Sequence, residues 1–159
     1  MPYLEDHTLY YKKSCPYCQK VLRFMQDNKI NLDMRDTLQP GNQNDLIHIG
    51  GKKHVPCLVI GNKPMYESDD IIAYLRVIVN PADDVSLRRI INQPKRSIGD
   101  ATIAELVRSA GEQGYSLFTA MLEPPQTLAS RARKCVGDFA QMMTRLTIER
   151  EAMSLLEFV

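Results

Sequence analysis

Several kinds of pattern are missing from this chain, and each absence removes a class of function. No apolar run approaches the ~20 residues that a helix needs to span a bilayer, so no membrane partner is expected. Met1-Pro2-Tyr3-Leu4-Glu5-Asp6 lacks the basic-then-apolar order of an export signal, which points to a cytoplasmic protein. Charge of one sign is not in excess: 20 Lys and Arg face 19 Asp and Glu across 159 residues, so no bulk field draws the chain to nucleic acid or to a membrane. There is no G-x-x-x-x-G-K-[ST] loop to cradle nucleotide phosphates, so neither ATPase nor unwinding activity is expected. Internal repeats and low-complexity tracts are absent too. His7, His48 and His54 show no H-x-x-x-H spacing, and Cys57 and Cys135 stand alone. A four-ligand zinc site is therefore not supported, and no metal is expected.

What the chain does have is Cys15-Pro16-Tyr17-Cys18, at a point where a short strand should turn into a helix. Thr8-Leu9-Tyr10-Tyr11 is β-prone, and the segment after the motif puts Val21, Leu22 and Met25 on one helical face. Helix-opening N–H groups and the positive end of the helix dipole favour a thiolate at the first cysteine. Such a thiolate attacks disulfides and also leaves readily. Cys15 is the expected nucleophile and Cys18 the resolving thiol. A structural disulfide would need an oxidising compartment, so a redox dithiol is the better reading.

The first half continues as strand 8–11, helix 16–28, strand 31–36, helix 42–48, strands 57–61 and 63–66 about the turn at Gly61-Asn62-Lys63, and a helix from Ser68. That order predicts an α/β unit with a mixed sheet covered by helices on both faces. The remainder reads as helices only. Asn80-Pro81-Ala82-Asp83 looks like a cap with proline at the first helical position, with Asn80 leading. Asp100 is the expected cap of a helix whose apolar stripe is Ile103, Leu106, Val107 and Ala110, ended by Gly111 and Gly114. Ser116 opens a short helix that Pro124-Pro125 stops. A longer helix carries Leu128, Ala132, Cys135, Val136, Phe139, Met142, Met143 and Leu146 on one side. Ser154 looks like the cap of one more helix, whose end so soon after it suggests a truncated piece.

Three separated segments resemble the glutaredoxins, small thioredoxin-fold proteins: Lys12-Lys13-Ser14-Cys15-Pro16-Tyr17-Cys18, His54-Val55-Pro56-Cys57-Leu58 and Glu67-Ser68-Asp69-Asp70-Ile71. The resemblance covers residues 1–78. It implies a glutathione-dependent oxidoreductase with glutathione as co-substrate, acting on disulfide or glutathionylated proteins. It also implies a cis proline at Pro56, with Val55 offering backbone groups to the cysteine of glutathione. Ser68 and Asp69, opening a helix, would grip the γ-glutamyl end, Asp69 taking the ammonium. Lys12 would steady the thiolate and the glycine carboxylate, with Lys52 or Lys53 as a weaker alternative, and Tyr17 would line the groove. Plainer readings stand beside these: the lysines as solvated charges and Asp69 as a helix cap. The departures are His54 in place of threonine, Tyr66-Glu67 in place of paired glycines, and Cys57 after the proline. Cys57 reads as a small buried strand residue, or else as a third redox thiol.

The segment from Ala73-Tyr74-Leu75 onward resembles the start of the 2B subdomain of UvrD/PcrA/Rep-type DNA helicases, over about residues 73–159. Arg89-Ile90-Ile91-Asn92-Gln93-Pro94-Lys95-Arg96-Ser97-Ile98-Gly99 carries it, with Ser97 standing where that family has the first glycine of Gly-Ile-Gly. The resemblance implies duplex DNA as a partner. Arg88, Arg89, Lys95 and Arg96 would contact it, and the loop at Ile98 and Gly99 would present N–H groups to a phosphate. Counting residues 80–159 gives ten Lys or Arg against ten Asp or Glu, so the alternative is a solvated helix face and a plain loop.

The expected architecture is thus an α/β thioredoxin-like domain, 1–78, followed by an all-α helical segment, 79–159, joined without a flexible linker as in a chimera. The expected activity is thiol–disulfide exchange through Cys15 and Cys18. The alternative is a binding module whose helical half docks DNA or a protein. Iron–sulfur binding, with Cys15 and glutathione ligands shared between two copies, is a third reading that the glutaredoxin resemblance implies. The Met-rich stripe (Met142 and Met143, with Met153 beyond) reads as packing rather than a cofactor box, and would drive self-association where helicase partners normally cover it. The helical half would then borrow stability from the first half or from a second copy, so a homodimer is a candidate assembly.

Overall fold

The computed structural model describes Tyr3–Leu156. The chain forms two compact units, one from residues 1–75 together with 149–159 and the other from 76–148. The first is α/β, with a mixed four-stranded sheet, and the second all-α. No helix among the described residues is long and apolar enough to cross a membrane.

In the first unit the elements run β1 (His7–Tyr11), α1 (Pro16–Asp27), β2 (Asp33–Asp36), α2 (Asn42–Gly50), β3 (Cys57–Ile60), β4 (Lys63–Met65) and α3 (Ser68–Val79). The sheet order is β2-β1-β3-β4. β1 pairs parallel with β2 and antiparallel with β3, and β3 pairs antiparallel with β4. Leu9 stands opposite both Met34 and Leu58. Pro64 sits in the edge strand β4, where a missing N–H costs the ladder least. Gly61 takes φ 64° in the two-residue turn between Ile60 and Lys63, a conformation that suits glycine.

Alternation along the strands puts Tyr10, Cys57 and Val59 on one sheet face, where they pack with Leu46 of α2. Leu9 and Leu58 occupy the opposite face and are also fully buried, so both faces are covered. α3 is unbroken from Ser68 to Val79, and Ile71, Tyr74 and Leu75 are fully buried. His7 is buried between the Glu5 carbonyl at 2.6 Å and the Tyr74 hydroxyl at 2.7 Å.

The second unit holds α4 (Asp84–Ile90), α5 (Asp100–Gln113), α6 (Leu117–Leu122) and much of α7 (Ser130–Leu156). Its core includes Leu87, Ile90, Leu106, Met121, Val136, Phe139 and Met143. Four local expectations are corrected. The cap of α4 is Asp83, not Asn80: its carboxylate accepts the Ser86 N–H at 3.1 Å and the Ser86 hydroxyl at 2.9 Å. These bonds hold the Asp83 carboxyl below its usual range. Asn80 instead closes a turn by accepting the Ala82 N–H at 3.1 Å. Gly99, not Asp100, holds the cap position of α5, and Asp100 is its first helical residue, where a carboxylate suits the dipole. Gly111 lies inside α5, and only Gly114, at φ 73°, ends it. Ser154 lies inside α7: residues 147–153 contain no Gly or Pro, so nothing breaks the helix there. Ser116 does cap α6, accepting the Thr119 N–H at 3.2 Å.

Candidate functional site

α1 begins where the Cys-x-x-Cys motif lies. Cys15 is the N-cap residue, and Pro16 takes the first helical position, where a missing N–H is harmless. A cap needs a side-chain acceptor for an orphan N–H of the first turn. Here it is sulfur: Cys15 Sγ accepts the Cys18 N–H at 3.4 Å. On its other side Cys15 Sγ meets the Val55 carbonyl oxygen at 4.0 Å. The two cysteines differ in environment. Cys15 is half-buried, whereas Cys18 is fully buried and accepts the Lys12 N–H at 3.5 Å. Loss of solvation pushes the Cys18 thiol up to about 12, against the lowering effect of the Lys12 N–H.

Val55-Pro56 is a cis peptide, and the two residues line a groove of about 340 Å³. Tyr17, Ser68 and Asp69 line the same groove. Lys52, His54, Tyr66 and Glu67 complete it. Lys12 reaches the site through its backbone, by the contact to Cys18, and of the two alternative lysines Lys52 is the groove residue. Lys20 of α1 stands 3.0 Å from Asp69 Oδ1, a pairing between residues 49 positions apart that no local pattern announced.

Tyr66 and Glu67, the two replacements for glycine, shape this groove. Glu67 takes φ 36°, the left-handed side that glycine tolerates best. The Tyr66 ring carries Lys52 Nζ 4.4 Å from its centroid and meets His54 edge-on at 6.4 Å. Cys57 is fully buried beneath it, and desolvation pushes that thiol up to about 11, while the Tyr66 hydroxyl beside it opposes the rise. Gly50, unmentioned by any motif, makes room for the ring: a Cβ there would stand 1.8 Å from the Tyr66 hydroxyl and 2.9 Å from Cζ. Gly50→Ala is expected to displace Tyr66 and cost about 1–3 kcal/mol in chemical denaturation. Adding Tyr66→Phe, which removes the nearest atom, should return part of that loss. A Gly50→Ala chain as stable as its parent would contradict this packing.

In the second unit Arg88, Arg89, Lys95 and Gly99 are exposed. Arg96 is differently employed. Its Nη1 donates to the carbonyls of Ile90 at 2.6 Å, Ile91 at 3.3 Å and Gln93 at 2.9 Å, and its guanidinium lies 4.5 Å from the Phe139 ring centre. Ile98 is buried, and its N–H goes to Asn92 Oδ1 at 3.3 Å, an oxygen that also accepts the Arg96 N–H at 2.7 Å. Asn92 thus organises the loop from within. Ser97 takes φ 60° where the resembling family has glycine. Gln93-Pro94 is a second cis peptide, which no sequence signal announced.

Fold and site together define a chain with an α/β unit bearing a Cys-x-x-Cys at a helix start, and a helical unit. The chain belongs to the UvrD-like helicase C-terminal domain family, whose model matches residues 23–146. The match therefore begins within α1, upstream of the helical half that suggested it. The ATP-dependent DNA helicase PcrA of Staphylococcus epidermidis is 34% identical over 113 residues, 68% of this chain and 15% of the helicase. The chain thus spans about 15% of the length of that curated relative. Among solved structures, glutaredoxin C1 from Populus tremula x tremuloides covers 53% of this chain and 85% of its own, with 18% identity and a TM-score of 0.37. A glutathione S-transferase from the Antarctic clam Laternula elliptica covers 89% of this chain and 64% of its own, with 17% identity and a TM-score of 0.41.

Proposed function

We propose that this chain is a glutathione-dependent thiol–disulfide oxidoreductase, with residues 1–78 as its redox domain and 79–159 as a helical domain. The observation that carries the reading is the asymmetry of the two cysteines at the start of α1. Cys15 is partly open to solvent, caps the helix through sulfur and abuts Val55, while Cys18 is sealed off as a thiol. In this reading Cys15 thiolate attacks the glutathione sulfur of a protein–glutathione mixed disulfide. The sulfur–sulfur bond breaks, and the substrate leaves as a thiolate that takes up a proton. A second glutathione thiolate then attacks the Cys15–glutathione disulfide, releasing oxidised glutathione and restoring Cys15. With a protein disulfide, Cys18 performs the release instead and forms a disulfide with Cys15, which glutathione reduces. Val55 offers backbone groups to the glutathione cysteine, the opening of α3 at Ser68 and Asp69 takes the γ-glutamyl end, and Lys12, or as the alternative the groove residue Lys52, meets the glycine carboxylate. Tyr17 and Pro56 wall the groove, and Lys12 supports the dithiol. Glutathione-coupled reduction of a small mixed disulfide, with Cys15→Ser as control, tests the assignment. Activity that survives in the control, or its absence in the parent chain, would overturn it.

Family membership favours a second reading, in which the helical domain docks duplex DNA. The exposed Arg88, Arg89 and Lys95 then meet phosphates near Gly99, with Arg96 and Ile98 holding the loop in shape rather than touching DNA. Binding through three phosphates is expected to be weak, with a log–log salt slope of about −3. Neutralising Arg88, Arg89 and Lys95 to Gln should remove both the mobility shift and the slope. A shift unaffected by those changes would reject this surface.

A further inference from the structure

Lys20 and Asp69 face each other across α1 and α3. Lys20 Nζ lies 3.0 Å from Asp69 Oδ1, and the two side chains are 52% and 60% exposed. Asp69 lines the groove. Lys20 belongs to α1, two residues after Cys18, and Asp69 to the first turn of α3. The carboxylate assigned above to the γ-glutamyl ammonium therefore already holds an ammonium, supplied by the chain itself.

We propose that Lys20 is an internal competitor for Asp69 and so sets which ligands the groove accepts. The proposal rests on the glutathione reading given above. Ligand binding becomes an exchange of one ammonium for another at the same oxygen, with no change in charge at Asp69. An exposed ion pair is weak, so the exchange is open to a ligand that brings its own cation. A ligand with a plain carboxylate arm has nothing to put in place of Lys20 and gains nothing from Asp69. The pair thus discriminates in favour of an α-amino acid end, and its cost appears as weaker binding of glutathione than Asp69 without Lys20 would give. Lys20 acts through Asp69 and is a positioning residue.

Calorimetric titration with S-methylglutathione, and with its counterpart lacking the α-amino group, tests this without requiring turnover. Lys20→Gln is expected to tighten S-methylglutathione binding about two- to fivefold, the range open to an exposed pair. It should leave the affinity for the des-amino ligand unchanged. Lys20→Arg, which keeps a cation on Asp69, should bind both ligands as the parent does. Unchanged or weaker S-methylglutathione binding in Lys20→Gln would overturn the competition, the weaker case making Lys20 a ligand for the α-carboxylate. A parallel gain for both ligands would overturn the ammonium exchange. No binding by any of the three chains would overturn this proposal together with the glutathione reading, whereas equal binding by all three would overturn the role of Lys20 alone.

Discussion

Cys15→Ser is expected to lower glutathione-coupled reduction of a small mixed disulfide by at least about a thousandfold, the scale of removing a covalent nucleophile. A serine hydroxyl in the same cap position would still accept the Cys18 N–H, so the helix start and the fold should survive. The loss then reports chemistry rather than unfolding, and circular dichroism of the variant checks that separation. Cys18→Ser should behave differently. It leaves Cys15 and the groove in place, so release of a glutathionylated protein continues, while reduction of a protein disulfide loses its internal second thiol. Equal loss in the two assays would contradict the division of labour.

Acidity adds a further signature. Burial pushes the Cys18 thiol up to about 12, so it stays protonated through neutral pH and its thiolate fraction grows about tenfold for each pH unit below that value. The rate of the Cys18-dependent release should therefore rise from about pH 6 to 9 and keep rising above the ordinary thiol range, where glutathione thiolate has levelled off, whereas Cys18→Ser should lack that component. A Cys18-dependent rate that levels off with the ordinary thiols would remove burial as the controlling factor.

Arg96→Ala should unfold the helical unit far more readily than Arg88→Ala or Lys95→Ala, by about 2–4 kcal/mol in denaturant melts. The reason is geometric. One side chain meets the carbonyls of Ile90, Ile91 and Gln93, at and just beyond the end of α4, and covers the Phe139 ring. Removing it leaves polar oxygens short of a donor and opens a face of the core. Arg88 and Lys95 are exposed, and surface changes of that kind move stability little. Arg96→Lys tests the same point. Lysine has no planar guanidinium to lie over the Phe139 ring, so part of the loss should remain. Equal stability of the Arg96, Arg88 and Lys95 variants would sink the assignment of Arg96 to the fold.

The Arg96 case marks where sequence reading stops. Four basic residues within nine positions look alike on paper, and only the folded loop separates the one committed to carbonyls and an aromatic ring from the three that are exposed. Asn92 is similar. Its side chain organises the loop through two N–H groups, work that composition alone does not reveal.

Local patterns, by contrast, translated almost directly. The Cys-x-x-Cys motif, the Gly61-Asn62 hairpin, the Ser116 cap and the helix opening at Ser68 each depend on residues within a few positions, where backbone sterics and capping chemistry act. Errors fell where two neighbouring residues offer similar chemistry, as Asn80 and Asp83 do, or where a good cap residue such as Ser154 is tolerated inside a helix.

By itself the sequence determined the element order of the first unit, the position of the dithiol at a helix start, and the helical character of the second unit. Tertiary structure alone decided that Cys18 is sealed while Cys15 is reachable, that Gly50 makes room for Tyr66, and that Lys20 rests on Asp69. The division has one cause. Hydrophobic periodicity and turn chemistry are properties of adjacent residues, whereas burial, side-chain clearance and ion pairing depend on atoms that the chain brings together from tens of residues apart.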